Sequence, residues 1–197
     1  MAISIIIFMK IGILWENFEY GGATTHLDNL LNDKIFHKTE FVIFTNKTNK
    51  ARQILKKKIK SKNFKFYYYN SLNVIYFNNK LMKIFYFLIR PLLFIISIFQ
   101  FYNILKKFKF DILLADCGGY GDFRSELSGL LASNFLKFPV RILLIHHSFT
   151  KPLFWNFFLR AVDNLVKKNI DSLIFVSKAT KRNIIIKTNL SDKKVKE

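Results

Sequence analysis

The chain has 197 residues, 51% of them hydrophobic and 17% aromatic, with a formal net charge of +19 at pH 7. That size and apolar content suit one substantial folded domain and exclude a disordered chain. A single cysteine, Cys117, excludes a disulfide framework and fits a reducing compartment.

The apolar run Ile11–Trp15 predicts the first strand. A short loop then reaches Gly21 and Gly22, and a helical pattern over Thr24–Asn32 starts at once. Strand, glycine turn and helix N-terminus together suit an anion. Glycine admits close approach, and the first helical N–H groups carry the positive end of the dipole. A second strand is expected at Glu40–Thr45, a helix at Asn49–Lys60 and a third strand at Phe64–Tyr69. Lys80–Lys107 reads as one long helix. Strands at Asp111–Ala115, Arg141–Ile145 and Ser172–Val176 then alternate with helices at Arg124–Lys137, Pro152–Lys168 and Lys178–Lys187.

This alternation predicts βαβ units in an α/β, Rossmann-like, doubly wound parallel sheet. Several strands are continuous apolar runs, as in sheets covered on both faces. One domain is expected over residues 1–190, with 191–197 starting a connector. Ligands of such sheets sit outside the carboxyl ends of the strands. Three loops therefore matter most: Gly21-Gly22, Asp116–Asp122 and His146–Thr150.

Within the long helix, Ile84–Leu105 is 22 residues with one charge, Arg90. The length approaches that of a bilayer span. Arg90, the Pro91 that follows it, and a polar repeat of Lys83, Arg90 and Ser97 argue against one. Two other readings stand: a covering helix, or a helix lying in a membrane interface. In the last case Lys56, Lys57, Lys58 and Arg90 would contact the membrane, at roughly 1 kcal/mol per lysine near an anionic surface. The charge itself has two sources to choose between. One is an anionic partner, and the other is a Lys-, Asn-, Ile- and Phe-rich composition of the kind that AT-rich genomes produce.

His146 and His147 end the fifth apolar run. Imidazole donates or accepts a hydrogen bond near neutral pH, which suits substrate orientation or acid–base work. His146 follows the run directly; His147 takes its place if the strand is one residue longer. With no carboxylate or cysteine at ligand spacing around the pair, no metal site is expected. His26 falls on the first turn after Gly22, where packing or capping is as good a reading as binding. Asp116, Gly118, Gly119, Asp122 and Glu126 lie in or beside a glycine-rich loop. They are candidate contacts to an acceptor hydroxyl, or simply solvated loop residues. Cys117 reads as packing and Ser177 as a helix N-cap.

Five segments occur in an order that resembles a known family: MKIGIL, YGGATTHLDNLL, DILLADCGGYG, RILLIHHSF and DSLIFVSKATKRNI. From Met9 to about Lys194 the chain resembles the N-terminal domain of GT-B glycosyltransferases of family 4. These are retaining enzymes that use nucleotide sugars. The resemblance implies the acceptor-binding half of such an enzyme, working in cell-surface polysaccharide or lipopolysaccharide synthesis at the inner face of the cell membrane. It implies a UDP- or GDP-sugar as donor substrate, no cofactor, and a glycan or lipid-linked acceptor. Gly21 and Gly22 would approach the donor diphosphate and the acceptor, and His146 (or His147) the reacting sugar. The family's donor-binding C-terminal domain, with its Glu-x₇-Glu motif, is expected to lie outside these residues, because only Glu126 and Glu197 follow Glu40. The 197 residues alone are thus expected to be inactive.

The alternative is a basic α/β protein without enzymatic activity that binds membranes or nucleic acid. The segment KNFKFYYYN interleaves lysines with aromatic residues that could stack on bases. No helix-turn-helix, zinc or RNP signature accompanies it.

Overall fold

The computed structural model describes residues 9–16, 21–59, 63–72, 80–120, 123–147, 156–188, 190 and 195–196. The strands are β1 (Lys10–Trp15), β2 (Glu40–Asn46), β3 (Phe64–Tyr69), β4 (Ile112–Gly119), β5 (Val140–His147), β6 (Ser172–Phe175) and β7 (Val195–Lys196). The helices are α1 (Gly22–Asn32), α2 (Ala51–Lys58), α3 (Lys80–Leu105), α4 (Ser125–Phe135), α5 (Asn156–Asn169) and α6 (Lys178–Lys187). All seven strands are parallel, in the order β3-β2-β1-β4-β5-β6-β7. The chain winds outward in one direction from β1 and in the other from β4. The point where the winding reverses, between β1 and β4, opens a crevice at the carboxyl ends of those strands.

The expected doubly wound fold is therefore the observed one. The main difference lies in strand length. β4 runs on to Gly119 and β5 to His147, where Gly119 and His147 are register partners. Asp116, Cys117, Gly118 and His146 thus belong to strands, not loops. Polar and small residues break the apolar pattern there, but the backbone ladder continues past it. Asp122 lies outside the described residues. Val195 pairs with Leu173, so the segment read as a connector contains a short edge strand.

Side chains alternate between the two faces of the sheet with period 2. Ile11, Ile13, Trp15, Phe41 and Ile43 pack under Leu27 and Leu31 of α1 and Leu55 of α2. Leu14, Val42, Phe44, Leu113 and Ala115 pack under α3, α4 and α5 through Phe94, Phe101, Leu130 and Val166. Lys56, Lys57 and Lys58 are exposed on α2. They lie on the opposite layer from α3, so the two features do not form one patch.

Helix α4 is the inner helix of its layer. Every residue from Ser125 to Ser133 is buried. A helix buried all round must be small where it touches its neighbours. Gly129 meets this demand: a Cβ there would lie 2.6 Å from Leu14 Cδ1 and 3.1 Å from Phe101 Cδ1. Just past the end of β4, Tyr120 Oη donates a buried 2.7 Å hydrogen bond to Asp163 of α5. At α6, Ser177 is the N-cap expected, with its hydroxyl accepting from the Thr180 N–H at 3.1 Å.

Gly129→Val should destabilise the fold by about 1–3 kcal/mol, because the buried Leu14 and Phe101 side chains would have to shift. Urea unfolding checks this. A midpoint equal to that of the native chain would show that α4 can shift away from β1.

Candidate functional site

Two polar clusters flank the carboxyl ends of the central strands, one on each side of the sheet. The first is built from β4, β5 and α1. Asp116 and His146 follow the alternation that points Leu114 and Leu144 toward α1. His146 is buried and Asp116 is fully buried. The His146 Nε2–H donates to Asp116 Oδ1 at 2.6 Å. A carboxylate there holds the imidazole in one tautomer and leaves Nδ1 as the nitrogen able to take a proton. The other carboxylate oxygen, Oδ2, is buried with no partner among the described residues.

His26, on the first turn of α1, stacks edge-on against His146 with ring centroids 5.4 Å apart. Partial burial lowers its pKa; the Asp116 charge works against that and the His146 ring adds to it. His26 is thereby biased to the neutral form. One nitrogen or oxygen from each of His26, Asp116 and His146 lies within 4.8 Å of the others. The sequence offered no ligand spacing because the three come from three separate elements. At 2.6 Å the Asp116–His146 contact is a hydrogen bond, shorter than the separation of two ligands around one ion.

The second cluster is built from β1 and α4. Glu16 follows β1 directly and is buried. The Ser71 and Ser125 hydroxyls and the Asn46 amide face it, with the Arg124 guanidinium nearby. Burial raises its pKa, outweighing those neighbours. Glu126, in the first turn of α4, is fully buried, with its Oε1 3.8 Å from Arg124 Nη1. Burial pushes its pKa up to about 8, against the pull of Arg124 and with the help of Glu16. The pair holds a proton at neutral pH. Sequence reasoning missed Glu16; its signal was a carboxylate placed directly after the first apolar run. It left solvated acids as one reading of Asp116 and Glu126. Both are buried, because β4 extends and α4 is covered on all sides.

Gly21 is the N-cap of α1 with no side-chain cap, and its extended backbone (φ −156°) is open to any residue. A Cβ at Gly21 or Gly22 would meet nothing within 4 Å. The glycines leave open the space beyond the α1 N–H groups rather than relieving strain. His147 is exposed, on the opposite face from His146. Gly118 is buried in β4. Arg90 sits 5.8 Å from the Phe123 ring centroid, turned toward its own domain. Cys117 is fully buried, and desolvation holds its thiol well above the usual range, so it packs rather than reacts.

No protein-family model matches the chain, and no curated protein is significantly similar to it. Solved structures do share its fold. Anabaena HepE in complex with UDP and glucose aligns with a TM-score of 0.60 at 14% identity, covering 95% of this chain and 43% of that one. A UDP-N-acetylglucosamine 2-epimerase aligns at 0.57 and 12% identity, covering 96% and 47%. MurG of Acinetobacter baumannii aligns at 0.54 and 12% identity, covering 87% and 42%. These are GT-B glycosyltransferases and epimerases, and this chain spans less than half the length of each. At such identities the likeness is one of fold: a single Rossmann-like α/β domain, matching one half of a GT-B enzyme.

The buried carboxyl of Glu126 makes stability depend on pH. Its native pKa of about 8 lies above the ordinary 4.5, so the native state binds this proton more tightly than the unfolded chain does. Stability therefore falls as pH rises through that window. Glu126→Gln should gain a few kcal/mol over the native chain near pH 8 and nothing near pH 4.5. Urea unfolding at the two pH values measures this; an equal gain at both would mean that Glu126 is not held neutral.

Proposed function

We propose that the chain is the acceptor-binding half of a retaining, nucleotide-sugar-dependent glycosyltransferase resembling family 4. The buried Asp116–His146 pair at the carboxyl ends of β4 and β5, beside the winding reversal, carries this reading. It stands at neighbouring strand ends with the N-terminus of α1, where a diphosphate gains from first-turn N–H groups and the helix dipole. His146 orients the reacting sugar or takes a proton at Nδ1, and Asp116 positions it. The five ordered segments of the sequence support the family, and the UDP complexes among the structural neighbours support a nucleotide-sugar donor.

A nucleic-acid reading fares less well. The aromatic residues of β3 divide between the two faces of an edge strand: Phe64 and Phe66 pack on the α1–α2 side, while Tyr67 and Tyr69 pack on the other. Phe64, Phe66 and Tyr68 lie against one another while Tyr67 and Tyr69 turn away from them, so the five rings do not make one surface. One observation favours a second enzymatic reading. The proton that buried Glu126 keeps, with the help of Glu16, suits acid–base chemistry on a sugar, which an epimerase reading requires.

Joined to a GT-B donor-binding half, the chain should transfer sugar from UDP- or GDP-sugars to a glycan acceptor. In that enzyme His146→Ala should lower kcat by about 10²–10⁴-fold, and His26→Ala by less than about tenfold. Asp116→Asn should lower kcat with little change in KM, because it frees the imidazole without removing it. Equal losses for the two histidines would refute the role of His146. Conversion of the nucleotide sugar without transfer would establish the epimerase reading instead.

A further inference from the structure

Helix α3 is built inside out. Its buried residues are Phe94, Ser97, Phe101 and Leu105, and Arg90 faces the domain on the same side. Every exposed residue described from Leu81 to Phe99 is apolar, among them Ile84, Phe85, Leu88, Leu92 and Ile95. At 3.6 residues per turn, all of them but Met82 fall within an arc of roughly 120°. The polar repeat of Arg90 and Ser97 thus lines the inner face, and the greasier face looks outward. The covering helix of a domain surrounded by water has the reverse arrangement. The span Ile84–Leu105 has a mean hydropathy of 2.0, with only 17% of its most apolar window buried.

Beside this stripe runs a groove of about 820 Å³ between α3, α4 and α5. Ile98, Phe99, Leu131, Phe135 and Leu165 make its apolar walls, and Lys168 with Asn134 and Asn169 supplies the polar ones. Lys167 and Lys168 close α5, and Lys106 and Lys107 follow α3.

We propose that this face rests on an anionic bilayer. The α3 stripe lies at the boundary of the acyl region, and the groove takes one acyl chain of a lipid whose phosphate meets Lys168. A contiguous exposed apolar surface marks a binding site. The chemistry of this one selects lipid over protein. Protein interfaces carry about one hydrogen bond per 100–200 Å², and the exposed side chains described from Leu81 to Phe99 are all apolar. A bilayer asks for none, and the net charge of +19 complements anionic headgroups. The inner face of α3 is committed to α4 through Phe94 and Phe101, so the helix lies on the membrane rather than crossing it. The inference stands whether or not the strand-end site transfers sugar.

Flotation of the full chain with phosphatidylcholine vesicles, with and without phosphatidylglycerol, tests it. The chain should float with the anionic vesicles and be released by alkaline carbonate. Leu92→Glu with Phe99→Glu should weaken binding by at least about tenfold per substitution. Lys167→Gln and Lys168→Gln should cost about fivefold each and reduce the salt dependence. Ile35→Glu, an exposed apolar position outside α3, should change nothing. A nitroxide on Phe99→Cys reports depth without a charge change, since the buried Cys117 stays unlabelled; it should be reached by oxygen in the bilayer more than by a water-soluble relaxant. Binding unaltered by the α3 substitutions overturns the proposal. So does retention through carbonate, which means a span, or a concentration-dependent dimer that hides the nitroxide with no vesicle bound, which means that a second copy covers the face.

Discussion

The contact on which most of the structure depends is the approach of α4 to β1 at Gly129. With no side chain there, the helix settles against Leu14 and Phe101 at distances that a Cβ could share only if those side chains shifted. Three consequences follow from that one close approach. The α4 helix is buried from Ser125 to Ser133. Its N-terminus is carried into the crevice beside β1, taking Arg124, Ser125 and Glu126 with it. Its outer side becomes the bed for α3, which packs there through a narrow row of residues and leaves its broad face outside.

The resulting crevice is unlike the surface around it. The chain is strongly basic, yet Glu16, Asp116 and Glu126 are buried at neighbouring strand ends. Each is handled differently. Asp116 is stabilised by the His146 N–H, Glu16 has hydroxyl and amide neighbours, and Glu126 keeps its proton. Burying three ionised carboxylates together would be costly, and neutralising one is the cheaper arrangement. Two polar clusters on opposite sides of the sheet thus give one crevice both an oriented imidazole and a stored proton.

The order of strands and helices was legible because apolar runs and helical periods alternate cleanly from Ile11 to Lys187. The ligand-facing edge was legible for the same reason, and His146 and Gly21-Gly22 were placed on it by chain order alone. The ends of β4 and β5 were not. Asp116-Cys117-Gly118 looks like a loop, yet β1 pairs as far as Asp116 and β5 carries the ladder on to Gly119, so neighbouring strands override local preference. The outward turn of α3 was hidden as well. A helix apolar on nearly every side gives no periodic hint of which face meets the core, and its few polar residues pointed the wrong way.

By itself, then, the sequence determined the fold class and the edge of the sheet at which chemistry belongs, since both rest on local periodicity. Only the tertiary structure decided which side chains meet there. Asp116, His146 and His26 come from three elements, and Glu16 meets Glu126 across more than a hundred residues of chain. Such pairs are set by packing between distant segments, and the most exacting of those packings is a missing side chain, at Gly129.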